Sequence, residues 1–304
     1  MYATVLNIAA MVVTLVAAPL VPGAAAAARA RSAGLSGPSV IQPYWQIAKL
    51  LRKQYIAPTV ASPIYWIGTL VGVAAVTSAL VAVPAAGGIS LPSSDAVVVA
   101  YLLMLATFLQ VMAALDTGTP FGGMGASRET MFAALAEPGL MIAILGLTVG
   151  SGTTRLSSAL AMPEVSPMGL LGHASIALAL LVLGLAENSR MPFDNPATHL
   201  ELTMVHEAMV LEQSGPGLAL VHLQSALKLT LFWLLALNVV VPMARPDSWG
   251  PIVLVLIPLA LVAGGTLLGL LESWLVKARL FRAPDLLVVG LAMAFFGLLV
   301  GVIA

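Results

Sequence analysis

Eight long apolar segments constrain this chain more than any other feature of its sequence. Each is close to the ~20 residues that an α-helix needs to cross the ~30 Å hydrocarbon core of a bilayer. Because only helices and closed barrels satisfy their backbone hydrogen bonds in lipid, they predict an all-α, polytopic membrane bundle of about eight transmembrane helices. The predicted spans are about 3–22, 64–84, 96–115, 131–150, 168–186, 219–242, 251–275 and 285–303.

The composition excludes soluble and nucleic-acid-binding classes. Of 304 residues, 60% are hydrophobic and only 9% are charged, whereas a soluble domain carries about 25% charged residues. The formal net charge is zero, so there is no basic footprint for nucleic acid. The chain has no cysteine, which excludes a disulfide framework or an iron–sulfur cluster on its own thiolates. We expect one membrane domain over 1–304. Its first span lacks a positively charged start, so we expect that span to be retained rather than cleaved.

Lysine and arginine are distributed unevenly between the loops. Loops 1–2, 3–4, 5–6 and 7–8 carry ten of them, whereas the other loops carry only Arg155 and Arg245. By the positive-inside rule, these four loops face the cytoplasm and both termini lie outside. Loop 1–2 also contains GPSVIQPYWQIAKLLRKQYIAP, which predicts an interfacial amphipathic helix after a Gly-Pro turn. Its basic residues, Lys49, Arg52 and Lys53, can reach lipid headgroups.

Loop 5–6 contains an acidic segment, RMPFDNPATHLELTMVHEAMVLEQSG, at 190–215. Asn195 and Pro196 suit a helix start, and the segment is too apolar for a free loop, so we predict a half-buried helix over 196–212. The pair His206-Glu207 lacks the second histidine of a zinc-protease motif, because position 210 is Val210. We therefore expect no metal here.

Four charged residues, Glu137, Glu187, Lys228 and Glu272, lie within the predicted spans or directly at the end of one. Charges at membrane depth are costly and usually functional, so we predict that they join the acidic segment in an ion path. A structural pair between a glutamate and Lys228 is the alternative. The residues predicted for the proton path or coupling are Glu137, Glu187, Asp194, Glu201, Glu207, Glu212, Lys228 and Glu272.

Several motifs together resemble a known family. ENSRMPFDNPATHLELTMVHEAMVLEQSG (187–215) resembles the signature of the membrane subunit shared by respiratory complex I and the group 4 nickel–iron hydrogenases. LDTGTPFGGMGASRETM (115–131) resembles the hydrogenase branch, including formate hydrogenlyase. GPSVIQPYWQIAKLL (37–51), SALKLTLFW (225–233) and LLESWLVKARL (270–280) extend the likeness over nearly the whole chain.

The resemblance implies a membrane-anchoring and coupling subunit, itself non-catalytic, of a hydrogenase-like redox complex. It would link electron transfer in a peripheral arm to proton or sodium translocation across a bacterial or archaeal plasma membrane. Its partners would be antiporter-like membrane subunits and hydrogenase-like large and small subunits docked on the cytoplasmic face. Iron–sulfur clusters, with or without a nickel–iron centre, would belong to those partners, and no cofactor would be bound by this chain. We expect the peripheral-arm interface to include Arg128, Glu129, Arg190, His199 and His206.

Two other functions remain open at this point. One is the quinone-binding subunit of an NADH:quinone oxidoreductase. The other is a stand-alone proton-coupled transporter, in which Glu137 and Glu272 would be the proton sites.

Overall fold

A computed structural model of the chain describes residues 2–84, 94–149, 152–160, 167–194, 204–240 and 250–303. Most of these residues are helical, and within them we find no β-strand beyond one isolated bridge between Asp95 and Arg155. The helices are α1 Tyr2–Ala17, α2 Leu20–Ser32, α3 Gln42–Leu51, α4 Ile64–Ala82, α5 Ala96–Asp116, α6 Pro120–Val149, α7 Leu156–Ala159, α8 Pro167–Glu187, α9 His206–Val210, α10 Gly215–Val240, α11 Val253–Trp274 and α12 Ala283–Ile303.

Seven of these helices are long and apolar enough to cross a membrane, namely α4, α5, α6, α8, α10, α11 and α12. Helices α1 and α2 pass the same test together, with a 44° bend between them, and count as an eighth span when the bent pair is taken as one. Proline lacks a backbone N–H and its ring clashes with the preceding turn. Pro19 therefore accounts for the break. The predicted all-α, multi-pass membrane bundle is confirmed, but its first span runs on to Ser32 instead of ending near residue 22.

Helix α6 is much longer than its predicted span of 131–150. It has 30 residues, about 45 Å at 1.5 Å per residue, which exceeds the hydrocarbon thickness. Pro120 suits the first turn, where no backbone N–H donor is needed. The additional turns carry Arg128 and Glu129, whose charge lowers the local hydropathy and hides this part of the helix from a search for apolar runs.

Helix α10 lies at the centre of the bundle. It packs against α4 on one side and α8 on another, and it also contacts α2, α3 and α11. Helix α12 packs against α6 and α8. The contact between α2 and α11 depends on small residues: a Cβ on Gly265 would lie 2.4 Å from the carbonyl oxygen of Val21, and one on Gly269 would lie 2.2 Å from that of Ala25. Such close backbone approach is typical of helix pairs in membranes.

The loop helices agree with the sequence in one case and differ in the other. The amphipathic helix predicted in loop 1–2 is confirmed as α3, which packs against α2 and α10 while Trp45 remains 65% exposed. The continuous helix predicted over 196–212 is wrong in its described part. Met204 and Val205 are not helical, and α9 covers only His206–Val210. Residues 195–203 lie outside the described residues.

Candidate functional site

A buried ion pair joins α8 to α10. The Nζ atom of Lys228 lies 2.7 Å from Oε2 of Glu187, and their side chains are only 8% and 3% exposed. Lys228 also donates to Oγ1 of Thr107 on α5, at 2.9 Å, and the Thr107 hydroxyl lies 3.4 Å from Oε2 of Glu187. The pairing of a glutamate with Lys228, which was the structural alternative to the predicted ion path, is therefore present, with Glu187 as the partner.

A second polar contact lies one helical turn away from the ion pair. Gln224 of α10 donates through Nε2 to Oε1 of Gln110 on α5, at 3.4 Å. Side chains three or four residues apart share one face of a helix, so Thr107 and Gln110 both face α10, where they meet Lys228 and Gln224. The Gln224 amide fits because α4 has only Gly72 opposite it, where a Cβ would lie 2.9 Å from Oε1.

The loop segment extends this row of polar groups. Gln110 Nε2 lies 3.1 Å from Nδ1 of His206 at the start of α9. An amide nitrogen can only donate, so Nδ1 accepts and the imidazole is neutral. Burial lowers the pKa of His206 to about 4, although the nearby charge of Asp194 acts in the opposite direction. We call the residues His206, Gln110, Gln224, Thr107, Lys228 and Glu187 the polar row.

The polar row opens into a cavity of about 320 Å³ at the end that the charge distribution assigns to the cytoplasm. The cavity lies between α2, loop 1–2, α10 and loop 5–6. Its ionisable and amide side chains belong to Arg29, Gln42, Gln46, Asn188, Arg190, Asp194, His206, Glu207 and His222.

Asp194 fixes the loop that forms one wall of this cavity. It is 3% exposed, and its Oδ2 accepts from the backbone N–H groups of Val205 and His206 at 3.1 and 3.3 Å. Its Oδ1 lies 2.7 Å from Nζ of Lys277 in loop 7–8. The Asp194 carboxylate therefore serves as a distant cap for α9, which explains why helix α9 begins only at His206.

Glu272 fixes the opposite wall. Its side chain is fully buried, and Nη1 of Arg190 and Nη1 of Arg29 each lie 3.3 Å from one of its oxygens. Ser189 has a φ of 49°, in the left-handed region, and this ends the turn after α8 and directs Arg190 towards Glu272. Burial lowers the pKa of Arg190 from its ordinary value, and the charge of Glu272 opposes that shift.

Glu137 lies on the far side of Thr107 from the ion pair. It is half-buried near the middle of α6, next to Pro138, and lines an open groove of about 510 Å³ between α5 and α6. Thr107 lines the same groove while also bonding Lys228. The charge of Glu137 interacts with those of Glu187 and Lys228, so the groove and the polar row are electrostatically connected.

The other residues predicted from the sequence lie at the cavity, at a turn or inside the chain. Glu207 is half-buried at the cavity, and Glu212 is half-buried at a turn, where its backbone carbonyl accepts from Tyr65. Arg128 donates to the carbonyl oxygen of Met204 at 2.6 Å. We expected Glu129 at a surface for the peripheral arm, but its side chain is buried inside the chain, at 7% exposure. His199 and Glu201 fall outside the described residues.

Sequence reasoning missed the neutral members of the site. Gln110 and Gln224 connect the cavity to the ion pair, yet neither was selected, because an ionisable-residue search passes over amides. The available signal was a pair of amides inside apolar helices, each three or four residues from another polar side chain. Within the residues that the structure describes, no three histidine, aspartate or glutamate side chains converge to hold a metal ion.

Nearly the whole chain matches a known protein family. The sequence model described as NADH dehydrogenase matches residues 3–301. The chain belongs to this family. Hydrogenase-4 component C of Escherichia coli (strain K12) is 33% identical over 260 residues, which cover 81% of this chain and 78% of that protein. Formate hydrogenlyase subunit 4 of the same organism is 29% identical over 287 residues, covering 91% and 92%.

A solved structure has the same fold. A chain from the membrane-bound sulfane sulfur reductase, an archaeal respiratory membrane complex, superposes with a TM-score of 0.79. The match covers 100% of this chain and 99% of the other at 20% identity, so it speaks for the fold alone. Together the family model and the two relatives confirm the predicted resemblance to the hydrogenase and formate hydrogenlyase branch of this family.

Proposed function

We propose that this chain is the membrane-anchoring and coupling subunit of a hydrogenase-like, complex I-related redox complex. It links electron transfer in a peripheral arm to translocation of protons or sodium ions. The observation that carries the proposal is the polar row, which connects a cavity at the predicted cytoplasmic end with a buried Lys228–Glu187 pair in the bundle. Buried ionisable residues in membrane proteins are characteristic of ion pathways.

The partners that we propose are subunits expected in hydrogenase-like complexes. Peripheral-arm large and small subunits would dock over the cavity and loop 5–6, and they would hold the iron–sulfur clusters, with or without a nickel–iron centre. Antiporter-like membrane subunits would lie beside the bundle, where the groove at Glu137 opens. Both chain termini would lie on the outer side of the membrane.

The coupling would be electrostatic. At an effective dielectric constant of ~20, one unit charge about 10 Å away changes the energy of another by about 1.7 kcal/mol. A change of that size alters a proton affinity by somewhat more than tenfold. A redox-linked charge or loop movement at the cavity would therefore act on the charges of the Lys228–Glu187 pair, and through them on Glu137. Arg190 and Asp194 hold the first end of loop 5–6 in place through their ion pairs with Glu272 and Lys277.

Replacement of Glu137 by glutamine tests the proposal. Glutamine keeps the shape and hydrogen bonding of the side chain but carries no proton. We expect the Glu137→Gln complex to assemble with normal subunit content and to retain electron transfer from an artificial donor. It should lose most ion translocation, measured with a pH- or potential-sensitive dye in vesicles.

Two further variants complete this experiment. Glu137→Asp keeps a titratable group and should retain part of the translocation. Asp285→Asn removes an exposed carboxylate at the start of α12, outside the proposed path, and should leave translocation unchanged. An assembled Glu137→Gln complex that pumps at the wild-type rate removes Glu137 from the path.

The cavity favours a second candidate, the quinone-binding subunit of an NADH:quinone oxidoreductase. Its volume of about 320 Å³ lies at the lower end of the ~300–1,000 Å³ usual for small-molecule sites. A photoreactive quinone analogue distinguishes the two candidates. Labelling of Gln46 or His222 that excess ubiquinone or menaquinone prevents supports quinone binding, and labelling that excess quinone does not reduce rejects it.

A stand-alone transporter is the rival from another functional class. Purification from native membranes decides this point, since a coupling subunit co-elutes with redox subunits. A transporter elutes alone and carries solute when reconstituted by itself.

A further inference from the structure

Glu129 lies on the buried face of α6. The buried positions in this part of the helix are spaced three or four residues apart, so they form one stripe that faces the rest of the chain. Glu129 is the only charged member of that stripe between residues 122 and 136. The stripe consists of Gly122, Gly125, Ala126, Glu129, Phe132 and Ala136.

The segment 204–210 covers this stripe. A Cβ on Gly125 would lie 2.9 Å from the carbonyl oxygen of Val205 and from the backbone nitrogen of Met209, so the segment touches α6 one turn before Glu129. Arg128 donates to the carbonyl oxygen of Met204 at 2.6 Å and holds the start of the segment in place. On the other side of Glu129, the ring of Phe132 packs edge-on against Phe193, with centroids 6.2 Å apart.

One oxygen of the Glu129 carboxyl group, Oε2, lacks a hydrogen-bond partner within the part of the chain that the structure describes, although that atom is buried. A buried and unpartnered carboxylate is expensive, and a proton removes most of that cost. Lys228 would attract the charge of Glu129, whereas Glu187, Asp194 and Glu137 would repel it.

We propose that Glu129 is a further proton-carrying residue of this chain and that the segment 204–210 is its gate. Glu129 takes a proton from water when the segment moves away from Gly125, and it holds that proton when the segment returns. The role of Glu129 in translocation rests on the proposed function. The cover over a protonated Glu129 carboxyl group is inferred independently of that function.

Carbodiimide labelling tests the cover without any measurement of pumping. The O–H of a protonated carboxyl group adds across one C=N bond of a carbodiimide to give an O-acylisourea. This product rearranges to a stable N-acylurea, and tandem mass spectrometry locates the added mass. In the purified complex at neutral pH, we expect the apolar reagent dicyclohexylcarbodiimide to label Glu129, and a water-soluble, cationic carbodiimide to label it much less. Labelling by the apolar reagent should fall as the pH rises, because the proton is then lost.

Two glycines in one turn of α6 provide a matched pair of variants. Gly125→Ala inserts a methyl group against Val205 and Met209, whereas a Cβ on Gly123 has nothing within 4 Å. We expect Gly125→Ala to increase labelling of Glu129 by the water-soluble reagent by about fivefold or more, the order that overpacking of this kind produces. Gly123→Ala should leave it unchanged. Arg128→Gln, which removes the bond to Met204 without a clash, should increase it as well.

The outcomes separate the two proposals. If neither reagent labels Glu129, or if Gly125→Ala and Arg128→Gln both label like Gly123→Ala, the covered proton site is wrong. If labelling behaves as expected but an assembled Glu129→Gln complex translocates ions normally, the carboxyl is covered but is not a proton carrier. Normal translocation by Glu137→Gln with the expected labelling would instead count against the proposed path at Glu137 and leave the gate intact.

Discussion

Removal of the Glu272 charge should destabilise the wall of the cavity. The Glu272 side chain is fully buried, and each of its oxygens faces an arginine at 3.3 Å. Glu272→Gln preserves the volume but leaves Arg190, whose side chain is only 11% exposed, facing a neutral amide. Arg29 loses the same partner but is 29% exposed, so water compensates it in part.

The expected loss of folding stability follows from the exposed fractions of the two arginine side chains. Breaking a buried ion pair by removing one partner costs about 3–5 kcal/mol, whereas a solvent-screened pair contributes about 0–1 kcal/mol. The Arg190 contact therefore accounts for most of the loss, which we place at about 3 kcal/mol at the low end of the buried range. For a chain of this size, each kcal/mol lowers the melting temperature by about 2–4 °C, so the expected decrease is about 6–12 °C.

Thermal unfolding, followed by intrinsic tryptophan fluorescence in detergent, measures this effect. A double-mutant cycle of Glu272→Gln with Arg190→Gln should give a coupling energy of at least about 1 kcal/mol. Arg29→Gln should cost less than about 1 kcal/mol, because its ion pair is partly exposed. Equal costs for the two arginines, or additivity within about 0.5 kcal/mol for the cycle, would refute the argument from burial.

Two other predictions concern topology and pH. Ser32 and Ser158 are both exposed. In the single variants Ser32→Cys and Ser158→Cys, a membrane-impermeant maleimide added from outside should label only the cysteine at 158. Labelling of both cysteines would reject the predicted orientation. Burial lowers the pKa of His206 to about 4 from an ordinary 6.5. Between pH 4 and 6.5, the unfolded chain therefore binds more protons at this residue than the folded chain does. Stability should therefore fall as the pH decreases from about 6.5 towards 4, by up to about 3 kcal/mol. An equally steep profile for His206→Gln, measured by unfolding in detergent, would contradict this.

The sequence predicted the spans well because membrane insertion depends on composition over about 20 residues. The prediction failed where a helix extends beyond its apolar residues. The first turns of α6 carry Arg128 and Glu129, which resemble loop residues, yet the helix continues because the segment 204–210 covers them. The helix predicted over 196–212 failed for a tertiary reason, since Asp194 takes the backbone donors of Val205 and His206.

For the candidate site, the sequence identified charges but not their partners. Glu187, Lys228 and Glu272 stand out because an ionisable residue in an apolar run is rare. Which of them pair is a matter of helix packing: Lys228 contacts Glu187, whereas Glu272 binds arginines that are 82 and 243 residues distant in the chain. No local pattern encodes separations of that kind. The expectation of a shared interface for Arg128 and Glu129 likewise had no information on packing, and in the structure Arg128 holds the loop whereas Glu129 is buried.

The two ends of loop 5–6 are held in different ways, and this difference bears on which part of it moves. The first end is fixed by ion pairs: Arg190 binds Glu272, and four residues later Asp194 binds Lys277. The second end, 204–210, is held by apolar and backbone contacts at Gly125, a hydrogen bond from Arg128 to Met204, and two backbone hydrogen bonds to Asp194. Breaking a buried ion pair costs several kcal/mol, whereas apolar contacts exchange more cheaply when a partner offers a similar surface. A docking arm would therefore displace 204–210 before it displaced 190–194. Such a displacement would pull His206 from Gln110 and uncover Glu129, while the arginine wall of the cavity stayed in place.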